Sequence, residues 1–327
     1  MTSTPPDPNP PVDSVLFVGF GGPTAPDEIM PFLRNVVFGR GVPDERLKAV
    51  EHHYLEVGGS SPYNAQTAAQ RDRLGRWLSD HGRALPVYVG MRNWSPFLKD
   101  TIATMNRDGR RHAIGVILAG FRSEASWDRY QGDVACAIAG NEGVGPHITW
   151  LDAWFAEPRF HEANAQEIER ASGYRRGQWP ADVPIVFTAH SIPTAMADAS
   201  PYVSDLRTAC EGVARILGAA DWELAWQSRS GDPRTPWLEP DINEVIRRRA
   251  KAGTQKLVAQ AIGFLSDHVE VLFDLDIEAR ATAAESGIEL TRAACVHDHP
   301  EFITMLGERI VERLAEPAAG DVRTHDS

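Results

Sequence analysis

Short apolar runs alternate along this chain with stretches whose apolar residues recur every three or four positions. SVLFVGFGG (14–22), LPVYVGMR (85–92), HAIGVILAGF (112–121) and HITWLDAW (147–154) have strand length and are bounded by glycine, proline or polar residues. Helical periodicity fills the intervals, most clearly over 44–57 and 65–81. The second half repeats the scheme with VPIVFTAH (183–190), WELAWQS (222–228) and KLVAQAIGF (256–264). Near-continuous apolar strands suit parallel sheets covered on both faces. Their alternation with helices predicts an α/β fold of doubly wound parallel sheets. Residues 159–182 begin helical, turn polar around Gly173, Gly177 and Pro180, and are expected to connect the halves. The expected divisions are a disordered lead-in over 1–12, an N-terminal domain over 13–160, a C-terminal domain over 161–316 and a frayed tail over 317–327.

The most informative stretch is GFLSDHVEVLFDLDIE (263–278). It spaces Glu270, Asp274 and Glu278 four residues apart. At about 100° per residue, a helix gathers the three carboxylates within a wedge of roughly 80°. A solvated helix face is one reading. Val269, Val271, Leu272, Phe273, Leu275 and Ile277 cover most of the remaining circumference, however, and a helix apolar nearly all round is a buried one. Only Asp276 spoils that pattern. Buried like charges repel one another and lose hydration unless a cation or protons compensate. Carboxylates beside an imidazole, here His268, suit a divalent metal or proton transfer. The stripe therefore reads as a path for cations.

The run 183–188 reads as a buried strand ending at His190 and stopped by Pro193. In open α/β sheets, ligands bind beyond the carboxyl ends of strands. The strand at 256–264 delivers the acidic helix from its own carboxyl end, so His190 and Glu270 are expected to face one crevice.

At 327 residues the chain is long enough for two domains. Hydrophobic content of 43% and charged content of 24% are ordinary for a globular protein. A formal net charge of -12 disfavours nucleic acid and anionic membranes as partners, but not a cationic metal. No segment approaches the roughly 20 apolar residues of a membrane span, so no integral membrane association is expected. The opening MTSTPPDPNPPVDS has neither the basic start nor the apolar centre of a secretory signal. Cys136, Cys210 and Cys295 are far apart with no CxxC, as in a reduced cytoplasmic protein without a disulfide framework.

GFGGP (19–23) and GGSSP (58–62) are glycine-rich turns at element ends. Such turns cradle phosphates in some proteins. GFGGP is not GxGxxG, however, and no P-loop lysine follows. Close backbone approach to a flat ligand accounts for the glycines equally well. Trp94, Trp127, Trp226 and Trp237 lie in polar surroundings near these motifs, where they suit the lining of a pocket for a large planar ligand.

In this order, these motifs resemble the ferrochelatase family, whose members insert ferrous iron into a porphyrin. TAHSIP (188–193) is similar to the family's motif around its active-site histidine, which implies that role for His190. GFLSDHVEVLFDLDIE is similar to its acidic helix, which implies the active-site glutamate at Glu270 and a metal route through Asp274 and Glu278 on a helix widened into a π-type turn. GFGGP, GGSSP, WQSRSGDPRTPWLEPD (226–241) and HDHPEFITML (297–306) resemble further signatures. VGMRNWSPF (89–97) and HHYLEVGGSSP (52–62) are most similar to bacterial forms that act on coproporphyrin III. The resemblance implies two similar Rossmann-like domains with the active cleft between them. It implies His190 and Glu270 as catalytic, His190, Glu270, Asp274 and Glu278 as metal-handling, and Phe20, Tyr54, Ser61 and Tyr130 as porphyrin contacts. Its further implications are Fe²⁺ as substrate, no organic cofactor, a cytoplasmic location and a monomer.

The chain departs from the family in two places. NVVFGRG (35–41) carries Val37 and Phe38 where relatives often have arginine, leaving Arg40. AGFRSEASWDRY (119–130) places Arg122 in a loop that is usually more neutral, where it is expected to meet a propionate. Only Cys295 lies where some relatives hold four iron–sulfur cysteines, so no such cluster is expected. The alternatives are protoporphyrin IX as substrate, a chelatase for another tetrapyrrole or metal such as cobalt, and a non-catalytic porphyrin carrier.

Overall fold

The structure, a computed structural model, describes residues 10–230 and 234–315. The first half runs β1 (Ser14–Gly19), α1 (Ile29–Val36), α2 (Asp44–Glu56), α3 (Tyr63–Asp80), β2 (Val87–Met91), α4 (Leu98–Arg107), β3 (His112–Ile117), a π-helical turn (Glu124–Asp128), α5 (Arg129–Ala139) and β4 (His147–Trp150). The second runs α6 (Pro158–Ser172), β5 (Ile185–His190), α7 (Thr194–Asp198), α8 (Tyr202–Leu217), β6 (Trp222–Gln227), α9 (Ile242–Lys251), β7 (Lys256–Gln260), α10 (Val269–Val271), a π-helix (Leu272–Ala279), α11 (Arg280–Glu285), β8 (Glu289–Ala293) and α12 (Pro300–Ala315).

The expected α/β class is observed. Two four-stranded sheets have the orders β2-β1-β3-β4 and β6-β5-β7-β8, and every strand pairing is parallel. Alternation along each strand divides its side chains between two cores. Val15, Phe17, Ile114 and Val116 of the first sheet join Ile185, Phe187, Leu224 and Val258 of the second in one core, filled by α3, α6, α8 and α12. Leu16, Val18, Ala113 and Ile117 face α4 and α5. Val186, Ala225, Leu257 and Ala259 face α9 and the helical run from Val271 to Ala283. In that run Val271, Leu275, Ala279 and Ala283 recur every fourth residue. An α-helix closes a turn in 3.6 residues, so a strict four-residue stripe drifts around it. The wider π-helix, closed by i→i+5 bonds, offsets that drift.

Of the lead-in expected over 1–12, only residues 10–12 are described. Pro10 is buried, and its carbonyl accepts a hydrogen bond from His112 Nδ1 at 2.6 Å. Residues 1–9 and the expected tail lie outside the described residues. The chain leaves the first sheet after β4, and α6 begins at Pro158, so a division at 160/161 falls in its first turn. β8, an edge strand, was not expected from the sequence. Among the described residues, no helix is long and apolar enough to cross a membrane.

Candidate active site

Both sheets reverse their strand order beside their first strand, and such switch points open a crevice at the carboxyl ends. In the second sheet this crevice lies between β5 and β7. His190 is the last residue of β5, and the loop after β7 leads into α10, which carries Glu270. Gly263 brings the loop in close: a Cβ there would sit 2.5 Å from Ala189 Cβ. Its N–H donates to the Thr188 carbonyl at 3.0 Å.

His190 is oriented by its surroundings. Its Nδ1 lies 2.5 Å from the Ser191 carbonyl. A carbonyl only accepts, so Nδ1 carries the hydrogen, and in the neutral ring Nε2 keeps its lone pair. Tyr202 Oη donates to the His190 carbonyl at 3.0 Å, and Ser191 Oγ donates to the Leu238 carbonyl at 2.9 Å, which fixes the turn. Nε2 stands 3.9 Å from Glu270 Oε2. That is an ion-pair distance, too long for a hydrogen bond. Two lone-pair donors thus border one space. The His268 imidazole joins them; burial holds it below its ordinary pKa, Glu270 raises it and His190 lowers it. From the sequence, His268 stands out only as an imidazole beside the carboxylates.

Behind Glu270 lies Asp274. Gln227 Nε2 donates to its Oδ2 at 3.1 Å, and Ser228 Oγ donates to the same oxygen. Ser228 adopts a left-handed φ of 60°, a conformation costing a non-glycine residue roughly 1–3 kcal/mol, and this turn delivers its hydroxyl. Burial pushes Asp274 up from an ordinary 3.8 to about 7, against those hydrogen bonds and with help from Glu270 and Glu278. Glu278 is also raised, first by burial, then by Asp241 and by Glu56 of α2. Against the expectation of buried charges, Glu270 and Glu278 are exposed and only Asp274 between them is half-buried, with α2 of the first half alongside. His53 of α2 stacks on Phe273 at 3.7 Å. Among the described residues, no three His, Cys, Asp or Glu side chains form a ready metal cage.

The first half supplies the opposite wall. Tyr54 and Phe32 pack with Val269, and Phe20 rests against them. The Phe20 N–H donates to Tyr63 Oη at 2.9 Å. Ser61 is buried against Gly22, where a Cβ would meet Ser61 Cβ at 2.8 Å. The expected trio Phe20, Tyr54 and Ser61 is thus brought to the acidic helix or to the turn facing it. Tyr130 stands near Tyr63, whose Oη holds the Phe20 N–H, whereas Arg40 and Arg122 are placed elsewhere. Tyr130 is buried, with the Arg92 guanidinium 4.3 Å from its ring centre. Arg40 is exposed and lines a cavity of about 460 Å³ with Phe38, Arg92 and Asp133. Arg122, expected to meet a propionate, instead grips Asp205 of α8 through Nε at 2.9 Å and Nη2 at 2.8 Å. It borders a cavity of about 480 Å³ between the π-helical turn and α7. Neither cavity includes His190 or Glu270.

Comparison with known proteins identifies the family. Residues 12–314 match the sequence profile of the ferrochelatase family. A ferrochelatase of Rhodopirellula baltica is 40% identical, the alignment covering 96% of this chain and 90% of the relative. A coproporphyrin III ferrochelatase of Streptomyces coelicolor is also 40% identical, covering 95% and 88%. One from Mycolicibacterium smegmatis is 38% identical, covering 92% and 90%. Among solved structures, SirB from Bacillus subtilis superposes with a TM-score of 0.56 at 12% identity, over 93% of this chain and 96% of that one, a likeness of fold. The profile match and these identities show that the chain belongs to the ferrochelatase family.

Proposed function

We propose that this protein inserts Fe²⁺ into coproporphyrin III, releasing two protons, as a cytoplasmic monomer without an organic cofactor. The observation that carries the reading is the orientation of His190: its Nδ1–H is committed to the Ser191 carbonyl, so Nε2 faces Glu270 Oε2 across 3.9 Å.

Metallation removes two pyrrole protons and delivers a divalent cation to four ring nitrogens. Nε2 of His190 and the carboxylate of Glu270 provide two basic sites on one space, suited to accepting those protons or holding the incoming metal. Asp274, with a pKa of about 7, exchanges a proton near neutral pH and links the inner pair to Glu278 at the mouth. A row of carboxylates serves a transient cation better than a closed cage, because iron must leave it for the porphyrin. Phe20, Tyr54 and Ser61 border the macrocycle in this reading.

Coproporphyrin III carries four propionates and protoporphyrin IX two. Each carboxylate needs water or a polar partner in the cleft. Ser61 and the glycine-rich turns supply partners, and the coproporphyrin III ferrochelatases of Streptomyces coelicolor and Mycolicibacterium smegmatis support the choice. The test is anaerobic Fe²⁺ insertion with both porphyrins under matched detergent. A higher kcat/KM for coproporphyrin III is expected. Faster turnover of protoporphyrin IX overturns the substrate, and no insertion into either overturns the activity.

A further inference from the structure

The acidic helix has a back as well as a face. Asp276, the residue that breaks its apolar circumference, points away from Glu270, Asp274 and Glu278. Arg292, on the edge strand β8, reaches it with Nε at 3.2 Å and with Nη2. The same guanidinium reaches Asp267 Oδ1 with Nη1 at 2.7 Å. Asp267 lies three residues before Glu270, and Asp276 lies between Asp274 and Glu278. One side chain, 11% exposed, therefore ties the loop before Glu270 to the π-helix between Asp274 and Glu278.

The rest of the cluster completes the charge balance. Asp267, 10% exposed, also accepts from the Cys295 N–H at 3.2 Å and from His297 Nε2 at 2.7 Å. Arg280 adds a contact to Asp276 at 3.0 Å. His297 holds a left-handed φ of 46°, unusual for a non-glycine residue, and its carbonyl accepts from Gln70 Nε2 of α3 at 2.8 Å. The network thus runs from the first half of the molecule to the back of the acidic helix. Buried charges this closely matched fix geometry more than they add stability, since their desolvation offsets much of their attraction. A planar fork is needed to serve two carboxylates at fixed angles, and lysine lacks one.

We propose that Arg292 is a positioning residue for metal insertion: by bridging Asp267 and Asp276 it holds the loop and π-helix in the register that aligns Glu270, Asp274 and Glu278. It touches neither porphyrin nor iron. The inference rests on the reading of Glu270 as a reactive carboxylate, so Glu270→Gln belongs in the same experiment.

The test compares wild type, Arg292→Lys, Arg292→Met, Asp276→Asn and Glu270→Gln. Folding is followed by far-UV circular dichroism, porphyrin-binding capacity by fluorescence titration with coproporphyrin III, and turnover by anaerobic Fe²⁺ insertion. Arg292→Lys and Asp276→Asn are expected to stay folded, bind one porphyrin per chain with affinity within about twofold, and lose about tenfold or more in kcat/KM for Fe²⁺, since small displacements of reactive groups have large effects on rate. If Arg292→Met does not fold, the other two variants decide. Turnover within about twofold of wild type in folded Arg292→Lys and Asp276→Asn overturns the inference. So does a loss of rate that merely follows a loss of porphyrin-binding capacity, which marks a structural role alone. Full activity of Glu270→Gln overturns the site reading itself, a result distinguishable from either.

Discussion

Asp274→Asn is expected to stabilise the protein at alkaline pH while impairing it as an enzyme. Burial raises this carboxyl from 3.8 to about 7 in the folded state. Below pH 3.8 both folded and unfolded chains carry the proton, and there is no effect. Between about 3.8 and 7 the unfolded chain has ionised and the folded one has not, so stability falls as pH rises. Above about 7 the full penalty is present. The interval corresponds to roughly 4 kcal/mol as an upper limit. Asp274 keeps some contact with solvent, and relaxation on ionisation reduces the figure to roughly 1–3 kcal/mol. Asparagine mimics the neutral acid in shape, and its carbonyl oxygen accepts from Gln227 and Ser228 as Oδ2 does. Melting temperatures of both proteins, measured from pH 5 to 8, should diverge progressively. The variant should melt several degrees higher at pH 8, at about 2–4 °C per kcal/mol. Its apparent KM for Fe²⁺ should rise. Melting curves that track each other across the range, or a variant that melts lower at pH 8, would refute the electrostatic account of Asp274.

Graded effects are expected along the stripe. Glu270→Gln should lower kcat by about 100-fold or more, whereas Glu278→Gln should mainly raise the apparent KM for Fe²⁺, and equal small effects would return the stripe to a solvated face. Arg122→Ala should leave the Asp205 carboxylate buried without its fork, lowering stability by about 1–3 kcal/mol in denaturant titrations. An unchanged midpoint would show that the pair contributes nothing. Asp205→Asn, which keeps the shape and removes the buried charge, should be milder than Arg122→Ala, and the reverse order would exclude an unpaired carboxylate as the cause.

Seven of the eight strands among the described residues were legible because each carries a short run rich in apolar residues, unbroken where the strand is central and buried, as in β1, β3 and β5. β8 was not. It is an edge strand, ELTRA, with few apolar positions, and its arginine serves the network behind the acidic helix. The His190–Glu270 pairing was legible from strand ends alone, since the switch-point rule places both at one crevice. The roles of Ser228 and Arg292 were not, because each depends on a backbone turn or a partner that sequence spacing does not encode. Arg122 shows the same limit. Its charge was visible and its nearness to the cleft expected, but its partner lies 83 residues away on a helix of the other half. Asp276 breaks the apolar pattern of its helix because Arg292 lies behind it, a partner 16 residues on that spacing does not reveal.

Single-turnover Fe²⁺ insertion into bound coproporphyrin III, with wild type and His190→Ala compared at equal porphyrin occupancy, tests the central claim most directly. The variant is expected to fold, to bind porphyrin within a few-fold of wild type, and to insert iron about 100-fold more slowly or worse. A folded, porphyrin-loaded His190→Ala protein that inserts iron at the wild-type rate would contradict the assignment of His190 and the site built around it.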